Sequence, residues 1–198
     1  ARGLARAAVA AGARIFEGTR AEAMADGKGG GFLLKTSGGT VRADQVILAG
    51  NGLIEGFDPQ LDARVMPIDN YVLSTVPIGA GQPGGLIPKG QAVSDTRFVV
   101  YYFRPTADGR LVFGGGETYA RSAPRDVAGF VRRHMLKIYP QLADVRIEYA
   151  WGGRLAITMQ RLPFIRQLRP GLYASAGYSG QGVALAPFAG KIIADAIA

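Results

Sequence analysis

The sequence contains no cysteine and only one histidine, His134. Without thiols the chain can form no disulfide, no zinc-thiolate site, no iron-sulfur cluster and no cysteinyl link to a cofactor. One histidine leaves almost no material for a Ser-His-Asp triad or a multi-histidine metal site, so we expect no metal. His134 lies in VRRHMLKIYP, a predicted helix, and we interpret it as a helix-surface residue. A chain without cysteine suits a reducing compartment, which predicts a cytoplasmic protein.

Long apolar runs are also missing, because Arg, Lys, Asp or Pro interrupts every stretch that could reach 18 residues. This predicts no membrane-spanning segment. The net charge of +8 could serve nucleic acid, an acidic membrane surface or an anionic ligand. However, the arginines are scattered, and the densest segments, RPTADGR and VRRH, carry no interleaved aromatic residues. We therefore predict a solvated basic surface with no nucleic-acid and no membrane partner, and keep a basic nucleic-acid-binding module as an alternative.

The first quarter of the chain is typical of an α/β fold. ARGLARAAVAAGARIFEGT predicts a helix that places Leu4, Ala8 and Val9 on one face and stops at Gly12, followed by a strand in ARIFEGT. GFLLKTSGGTVRADQVILAGNG predicts two strands around a Ser-Gly-Gly turn. The second ends in the apolar run QVILAG, which is typical of a strand in a parallel, helix-covered sheet. The Gly50-Asn51-Gly52 segment follows the carboxyl end of that strand, where such sheets approach ligands.

The middle of the chain is richer in β-structure. ARVMPIDNYVLSTVPI and RFVVYYFRPTADGRLVFGGG predict long strands, the latter a hairpin that turns at residues 107–109. Residues 79–96 between them have no periodicity and several helix and strand breakers, which predicts a loop. SAPRDVAGFVRRHMLKIYPQL predicts a helix capped by Ser122 and ended by Pro140. Its predicted buried stripe consists of Val127, Phe130, Val131, Met135 and Ile138.

Three glycines stand within six residues directly before the last helix. The predicted strands VRIEYAWGG, LPFIRQL and GLYASAG lead into GYSGQG, which contains Gly177, Gly180 and Gly182. A helix cap needs only one Ser or Asp, whereas these glycines remove side chains from a whole turn. Such a turn exposes backbone N-H groups and the positive end of the helix dipole, which favours an anion or an electron-rich ring.

Four segments, in their order and spacing, resemble those of a known family: VILAGNG, YYFRPTADGRLVFGGG, YAWGGRLAITMQRLPFI and GLYASAGYSGQGVALAPFAGK. They are similar to the FAD-dependent amine and amino-acid oxidoreductases of the D-amino-acid oxidase superfamily, above all to γ-glutamylputrescine oxidoreductase-like proteins. The resemblance implies an α/β (α+β) fold, in which the C-terminal part of a Rossmann-like FAD-binding domain is interrupted by a β-rich substrate domain. The implied division is 1–56 for FAD, 57–150 for substrate, and 151–198 for FAD again.

The resemblance also implies the cofactor and its contacts. Residues matching the family's flavin-contacting turn are Gly177, Tyr178, Ser179, Gly180, Gln181, Gly182 and Val183, and further dinucleotide contacts match Ala21, Ala49 and Gly50. Gln181 departs from the histidine often found in the family. FAD would be held non-covalently. Members of the family open with a strand, a G-x-G-x-x-G turn and a helix that together hold the FAD pyrophosphate, and the sequence shows no such strand-turn-helix element. We therefore expect this chain to be a C-terminal portion that needs a preceding segment of the same protein to retain FAD.

On the substrate side, the amino-acid oxidases of this family carry an arginine shortly after the W-x-G pair. Aligned by Trp151 and Pro163, this sequence has Leu155 there, with Arg154 one step away and expected on the opposite face of the strand. The missing carboxylate anchor favours an amine, or a conjugated amine, over a free α-amino acid. The residues predicted for the substrate pocket are Tyr71, Tyr102, Trp151 and Arg154. Asp69 and Glu117 are weaker candidates for an ammonium group.

The implied reaction is FAD-dependent oxidation of a small-molecule amine similar to γ-glutamylputrescine. A hydride passes from the substrate to the flavin, giving an imine and then an aldehyde, with hydrogen peroxide as co-product if oxygen is the acceptor. Alternatives within the superfamily are a D-amino-acid, sarcosine or glycine oxidase or dehydrogenase. A cofactor-free binding module of the same descent is a third possibility. No catalytic acid or base is assigned from the sequence.

Overall fold

The computed structural model describes residues 1–54, 56–78, 86–119 and 122–198, so part of the predicted loop 79–96 lies outside the described residues. The fold is a mixed α/β arrangement. Its α-helices are α1 (Arg2–Ala10), α2 (Pro59–Asp62), α3 (Val127–Met135) and α4 (Gly182–Ile197). Its strands are β1 (Ala21–Asp26), β2 (Phe32–Thr36), β3 (Gly39–Ala43), β4 (Val46–Leu48), β5 (Met66–Thr75), β6 (Val93–Ser94), β7 (Tyr102–Pro105), β8 (Leu111–Thr118), β9 (Ile147–Ile157), β10 (Phe164–Arg169) and β11 (Leu172–Ala176).

The chain divides into two compact units. The first comprises residues 1–48 with 166–174, and the second comprises residues 49–165 with 175–198. These units follow from how residues pack, whereas the predicted division into 1–56, 57–150 and 151–198 follows from which residues are expected to bind FAD or substrate. The functional division therefore stays a prediction.

The first unit contains the predicted hairpin and a parallel strand pair. β2 and β3 are antiparallel and join at Ser37-Gly38, and β1 adds to the free side of β2. β4 pairs in parallel with Leu172–Ala174, which confirms the parallel strand expected around QVILAG. The prediction that β3 continues into that run is wrong, because the chain leaves the hairpin at Asp44-Gln45. One face of β4 is also partly exposed to solvent, since Ile47 is 47% exposed.

The helix α1 ends as the sequence predicts. The Gly12 N-H donates to the Val9 carbonyl at 3.0 Å and the Ala13 N-H donates to the Ala8 carbonyl at 3.0 Å, with Gly12 at φ +94°. These two bonds form a Schellman motif, which favours glycine at this position. The strand predicted in residues 13–19 is wrong: no described strand pairs with this segment, and unpaired backbone groups do not hold a strand. The first strand begins at Ala21 instead.

The second unit is built on a five-stranded antiparallel sheet in the order β6-β7-β8-β5-β9, which confirms the two long β-segments and the hairpin turn at residues 107–109. One face of the sheet packs on α3. The core there consists of Tyr71, Leu73, Tyr101, Phe103, Leu111, Phe113, Val131, Met135 and Leu142. Alternate residues point to the opposite face. Along β5 the opposite face is formed by Ile68, Asn70, Val72 and Ser74, and we call it the open face.

A β-bulge in β8 decides which residues reach the open face. Asn70 is paired with Glu117 and Val72 with Gly114, so two residues, Gly115 and Gly116, oppose one residue of β5. In a regular strand, Phe113 and Glu117 would share a face. The bulge turns Glu117 to the open face while Phe113 stays in the core. Gly116 adopts φ +88°, a conformation that favours glycine.

The helix α3 carries the predicted stripe but not the predicted cap. Val131 and Met135 are fully buried, and Val127, Phe130 and Ile138 pack against the same core. The cap is Asp126, whose carboxylate accepts from the Gly129 N-H at 2.8 Å, so the assignment to Ser122 was wrong. The helix also ends at Met135, before Pro140, which begins a 3₁₀ turn over Pro140–Leu142.

His134 is not the surface residue that the sequence suggested. It is partly buried between α3 and β8, and its Nδ1 shares a 2.7 Å hydrogen bond with the Tyr101 hydroxyl. Burial lowers the pKa of His134, and the cations Lys137, Arg133 and Arg97 lower it further.

Candidate functional site

The glycine-rich turn before α4 is anchored by its first residues. The Gly177 N-H donates to Asn51 Oδ1 at 3.0 Å, and Gly177 adopts φ +70°. A Cβ at Gly177 would overlap the Thr158 methyl group and lie 3.1 Å from Val65 Cγ1. The Tyr178 ring is buried, with its hydroxyl 2.6 Å from Ser175 Oγ. The first two residues of the turn therefore secure it from inside.

The next residues leave their backbone open. Gly180 adopts φ +92°, and a Cβ placed there would meet no atom within 4 Å. No described residue accepts a hydrogen bond from the amides of Gly182 and Val183, which lie in the first turn of α4 and have no intrahelical partner. The Val183 side chain is 98% exposed. Open backbone donors beside an uncovered apolar side chain fit the polar edge and flat face of a flavin ring.

A second turn, Thr158–Leu162, is tied to the glycine-rich turn by one hydrogen bond, and the end of β9 directly before it is tied to that turn by another. The Ser179 N-H donates to the Ala156 carbonyl at 3.0 Å, and the Thr158 N-H donates to Ser179 Oγ at 3.3 Å. Thr158 Oγ1 closes its own turn by donating to the Leu162 carbonyl at 2.7 Å. Inside this turn Arg161 adopts φ +61°, which is unusual for a residue with a side chain. The position of Arg161 is thus coupled to that of the glycine-rich turn.

The open face of the sheet and the two turns border two adjoining clefts that share lining residues, and we call the clefts the two chambers of the cavity. The turn chamber, of about 360 Å³, is lined by Asn70, Ser94, Phe98, Val100, Tyr102, Glu117, Leu155, Ile157, Arg161, Ser179, Gly180 and Gln181. The side chamber, of about 420 Å³, is lined by Asp62, Ala63, Arg64, Val65, Met66, Ile68, Phe98, Glu117, Tyr119, Ile157, Thr158, Met159 and Arg161. Both volumes are in the range of small-molecule sites.

Polar side chains of the turn chamber are linked across the sheet. The Tyr102 hydroxyl donates to Asn70 Oδ1 at 2.6 Å, and Asn70 Nδ2 donates to the Gly116 carbonyl at 3.4 Å. The Tyr102 ring lies over Gly114, where a Cβ would overlap it. Burial raises the pKa of Tyr102, and the neighbouring charge of Glu117 raises it further. The phenol is therefore held neutral and in a fixed orientation.

Glu117 is the partly buried carboxylate of this cavity. Burial raises the pKa of Glu117, and the attraction of Arg161 and a 3.5 Å hydrogen bond from the Tyr119 hydroxyl offset part of this rise. The Arg161 guanidinium lies 4.6 Å from the centroid of the Phe98 ring, a cation-π distance. The cavity thus has one carboxylate and one guanidinium that line both chambers.

The residues predicted to contact the flavin fall into three groups. Ser179, Gly180 and Gln181 line the turn chamber, and Gly182 and Val183 begin α4 beside it. Gly177 and Tyr178 are engaged by internal contacts, since the Gly177 N-H donates to Asn51 and the carbonyls of both residues accept hydrogen bonds from Ser179 and Gln181. Ala49 and Gly50 are exposed at the end of β4, and Ala21 begins β1 in the first unit, exposed at the surface of that strand. Their contacts with FAD remain predictions.

The predicted substrate residues separate across the sheet. Tyr102 lines the turn chamber. Trp151 pairs with Val72 on the open face and is 47% exposed, beyond the residues that line the cavity. Tyr71 lies on the opposite face, in the core with α3, where its hydroxyl is 2.9 Å from Thr118 Oγ1.

Arg154 also lies on the face opposite to the open face and does not line the cavity. Its Nε donates to Asp69 Oδ1 at 2.9 Å, whereas the neighbouring Leu155 lines the turn chamber. The same ion pair engages Asp69, one of the two weaker candidates for an ammonium group.

The lining residues that the sequence did not predict include Asn70, Phe98 and Arg161. Arg161 was the most accessible to prediction, because it directly precedes Leu162 and Pro163 in a segment with turn character. Among the described residues, no group of three or more His, Asp or Glu side chains is placed to hold a metal ion. None of the described helices has the length and apolar character needed to cross a membrane.

Comparison with known proteins relates the chain to one family by both sequence and fold. The model of the family described as FAD dependent oxidoreductase matches residues 1–196. The chain is 46% identical over 193 residues to a probable oxidoreductase OrdL of Rhizobium meliloti (strain 1021), covering 98% of this chain and 44% of that protein. It is 38% identical over 164 residues to the gamma-glutamylputrescine oxidoreductase of Escherichia coli (strain K12), covering 82% of this chain and 38% of that protein.

The fold is shared with solved structures. Glycine oxidase from Geobacillus kaustophilus superposes with a TM-score of 0.78 at 23% identity, covering 98% of this chain and 52% of that one. The chain spans less than half the length of the two curated relatives named above. The match of the family model over nearly all residues, together with the 46% identity, identifies the family: this chain belongs to the FAD-dependent oxidoreductases of the D-amino-acid oxidase type.

Proposed function

We propose that the protein oxidises a primary amine carried on a conjugated small molecule such as γ-glutamylputrescine, with FAD as the electron acceptor. The single observation that carries this proposal is the turn chamber, which is lined by the glycine-rich turn Ser179–Gln181 and by the open face of the β-sheet. A substrate in that chamber would lie beside the backbone at which the family's flavin is expected.

The open residues of the turn would hold the flavin edge non-covalently. The amides of Gly182 and Val183 would donate to the electron-rich end of the ring, and the dipole of α4 would add to this effect. When bound, FAD supplies the two-electron acceptor for amine oxidation. A further segment of the same protein would hold the rest of the cofactor, since the chain covers 44% of its OrdL relative. A cytoplasmic location remains part of this proposal.

The residues of the chamber would bind and orient the substrate. Tyr102, fixed by its hydrogen bond to Asn70, presents a phenol that neither titrates near neutral pH nor swings out of the wall. Leu155 offers no charge where amino-acid oxidases of the family carry an arginine, so a carboxylate on the reacting carbon would find no anchor there. This arrangement favours an amine whose reacting carbon bears no carboxylate.

The gamma-glutamylputrescine oxidoreductase relative supports the choice of substrate class, at 38% identity. A glycine or sarcosine oxidase is the alternative within the family. The two differ in where the carboxylate of the substrate lies relative to the reacting carbon. A cofactor-free binding module of the same descent would oxidise neither class of substrate.

The test is the visible absorption spectrum of the native-length protein, purified without added cofactor. We expect flavin bands that bleach when γ-glutamylputrescine is added anaerobically. Glycine and sarcosine at the same concentration serve as matched controls, and we expect them to leave the bands unchanged. Bleaching by glycine or sarcosine alone would assign the protein to the alternative class. A colourless protein that does not take up added FAD would refute the proposed function altogether.

A further inference from the structure

Two residues of opposite charge stand where the chambers meet. The turn chamber and the side chamber share four lining residues, Phe98, Glu117, Ile157 and Arg161. Two of these are apolar, and the other two are a carboxylate and a guanidinium that attract one another. The side chamber has further charges in Asp62 and Arg64, but neither reaches the turn chamber. The charged pair is thus common to the whole cavity.

Both members of the pair are placed by unusual backbone rather than by regular structure. Glu117 faces the cavity only because the bulge at Gly115-Gly116 reverses the side to which it points. Arg161 holds φ +61° in a turn fixed by the Thr158 hydroxyl. Non-glycine residues in this conformation are strained and tend to occur at functional sites. Two local irregularities, the bulge in β8 and the positive φ of Arg161, therefore bring one anion and one cation to a single cavity.

The surroundings of Glu117 and Arg161 allow each of them to bind an oppositely charged group of a ligand. Glu117 is desolvated, which disfavours its ionised form unless a cation is near. Arg161 rests over the Phe98 ring, which leaves the edge of the guanidinium available for a two-point contact with a carboxylate. An incoming ammonium would suit the first residue and an incoming carboxylate the second.

We infer that Glu117 and Arg161 recognise the zwitterionic α-amino-acid head of the substrate, with its ammonium on Glu117 and its carboxylate on Arg161. The inference rests on the proposed function and specifies its substrate class. In a γ-glutamyl conjugate, both charges of the head are attached to one carbon, at the end opposite to the amine that is oxidised. The head occupies the junction of the chambers, and the remainder of the molecule extends along the turn chamber toward Ser179–Gln181. Arg161 thereby supplies a carboxylate anchor, remote from the reacting carbon.

The experiment compares three substrates on the native-length protein loaded with FAD. γ-Glutamylputrescine has both head charges, N-(4-aminobutanoyl)putrescine lacks only the carboxylate, and N-glutarylputrescine lacks only the α-ammonium. The variants are Arg161→Gln and Glu117→Gln. Exposed residues outside the cavity provide the matched controls, Arg42→Gln and Glu17→Gln.

We expect Arg161→Gln to raise KM for the two carboxylate-bearing substrates by roughly 10- to 100-fold, the range of a charge-assisted contact, with a smaller change in kcat. KM for N-(4-aminobutanoyl)putrescine should stay within about twofold of the wild type, since it offers Arg161 no partner. Glu117→Gln should raise KM for the two ammonium-bearing heads and spare N-glutarylputrescine. Arg161→Lys should restore part of the loss, because it keeps the charge without the planar fork.

Equal losses on all three substrates would overturn the inference, since they would reveal a general disturbance of the cavity. Unchanged KM values in both variants would overturn it as well. In either case the wild-type enzyme would still bleach with γ-glutamylputrescine, so the proposed function would stand. If no conjugate reduces the wild-type flavin, the proposed function fails and the inference fails with it.

Discussion

The substitution Gly177→Ala tests how the glycine-rich turn is anchored. Gly177 holds φ +70°, and a left-handed conformation destabilises a residue with a side chain by about 1–2 kcal/mol. The new Cβ would also overlap the Thr158 methyl group and approach Val65 Cγ1 at 3.1 Å, an overpacking that adds about 1–3 kcal/mol. We therefore expect Gly177→Ala to lower the free energy of unfolding by about 2–5 kcal/mol.

Two further variants separate these contributions. Gly180→Ala has a comparable positive φ of +92° but no atom within 4 Å of the new Cβ, so only the conformational part of about 1–2 kcal/mol applies. Thr158→Ser removes the overlapping methyl group and keeps the hydroxyl that donates to Leu162. Added to Gly177→Ala, it should recover about 1 kcal/mol or more, as a double-mutant cycle would reveal.

The assay is urea unfolding of the native-length protein without FAD, followed by circular dichroism, so that cofactor binding does not mask the change. The reasoning would be refuted if Gly177→Ala proved no more destabilising than Gly180→Ala. It would also be refuted if Thr158→Ser failed to relieve Gly177→Ala.

Two other predictions concern α3. The pKa of His134 is lowered in the folded protein, so the unfolded chain binds more protons as pH falls below about 6.5, and the free energy of unfolding should fall there. In urea unfolding at several pH values, His134→Gln should reduce this loss of stability at acid pH relative to the wild type. An unaltered pH profile would contradict the assignment. Asp126→Ala removes the cap on the Gly129 N-H and should lower the free energy of unfolding by about 0.5–2 kcal/mol, while Asp126→Ser should retain most of it and Ser122→Ala should have no measurable effect.

The order of strands and helices was largely readable from the sequence, because hydrophobic periodicity and turn residues act locally. The hairpin at residues 107–109, the stripe on α3, the stop at Gly12 and the final strand-turn-helix all follow from such local signals. The strand expected in residues 13–19 failed for a non-local reason, since a strand needs a partner as well as a suitable sequence.

The candidate site could be predicted from the sequence only in part, because the face to which a side chain points in a sheet depends on the register of the strand. Both sets of alternate residues in β5 contain large side chains, so the sequence could not tell that Tyr71 faces the core and Asn70 the cavity. Three successive glycines at 114–116 hinted at a bulge, but not at which residues it would loop out. Which of these glycines form the bulge determines the face of the sheet to which Glu117 points. Arg161 depends in addition on contacts between two turns far apart in sequence.

Alternation along β5 has a consequence for how this protein could acquire a new specificity. The residues on one side of the strand hold the sheet to α3, whereas those on the other side border the space in which a small molecule would bind. Asn70 and Ile68 are buried as well, so size-conserving substitutions there would alter the cavity wall without changing the packing on α3, whereas substitutions at Tyr71 and Leu73 would disturb that packing directly. A directed-evolution library confined to size-conserving changes at the alternate residues of β5 that face the cavity would explore new substrates while leaving the contact between the sheet and α3 unchanged.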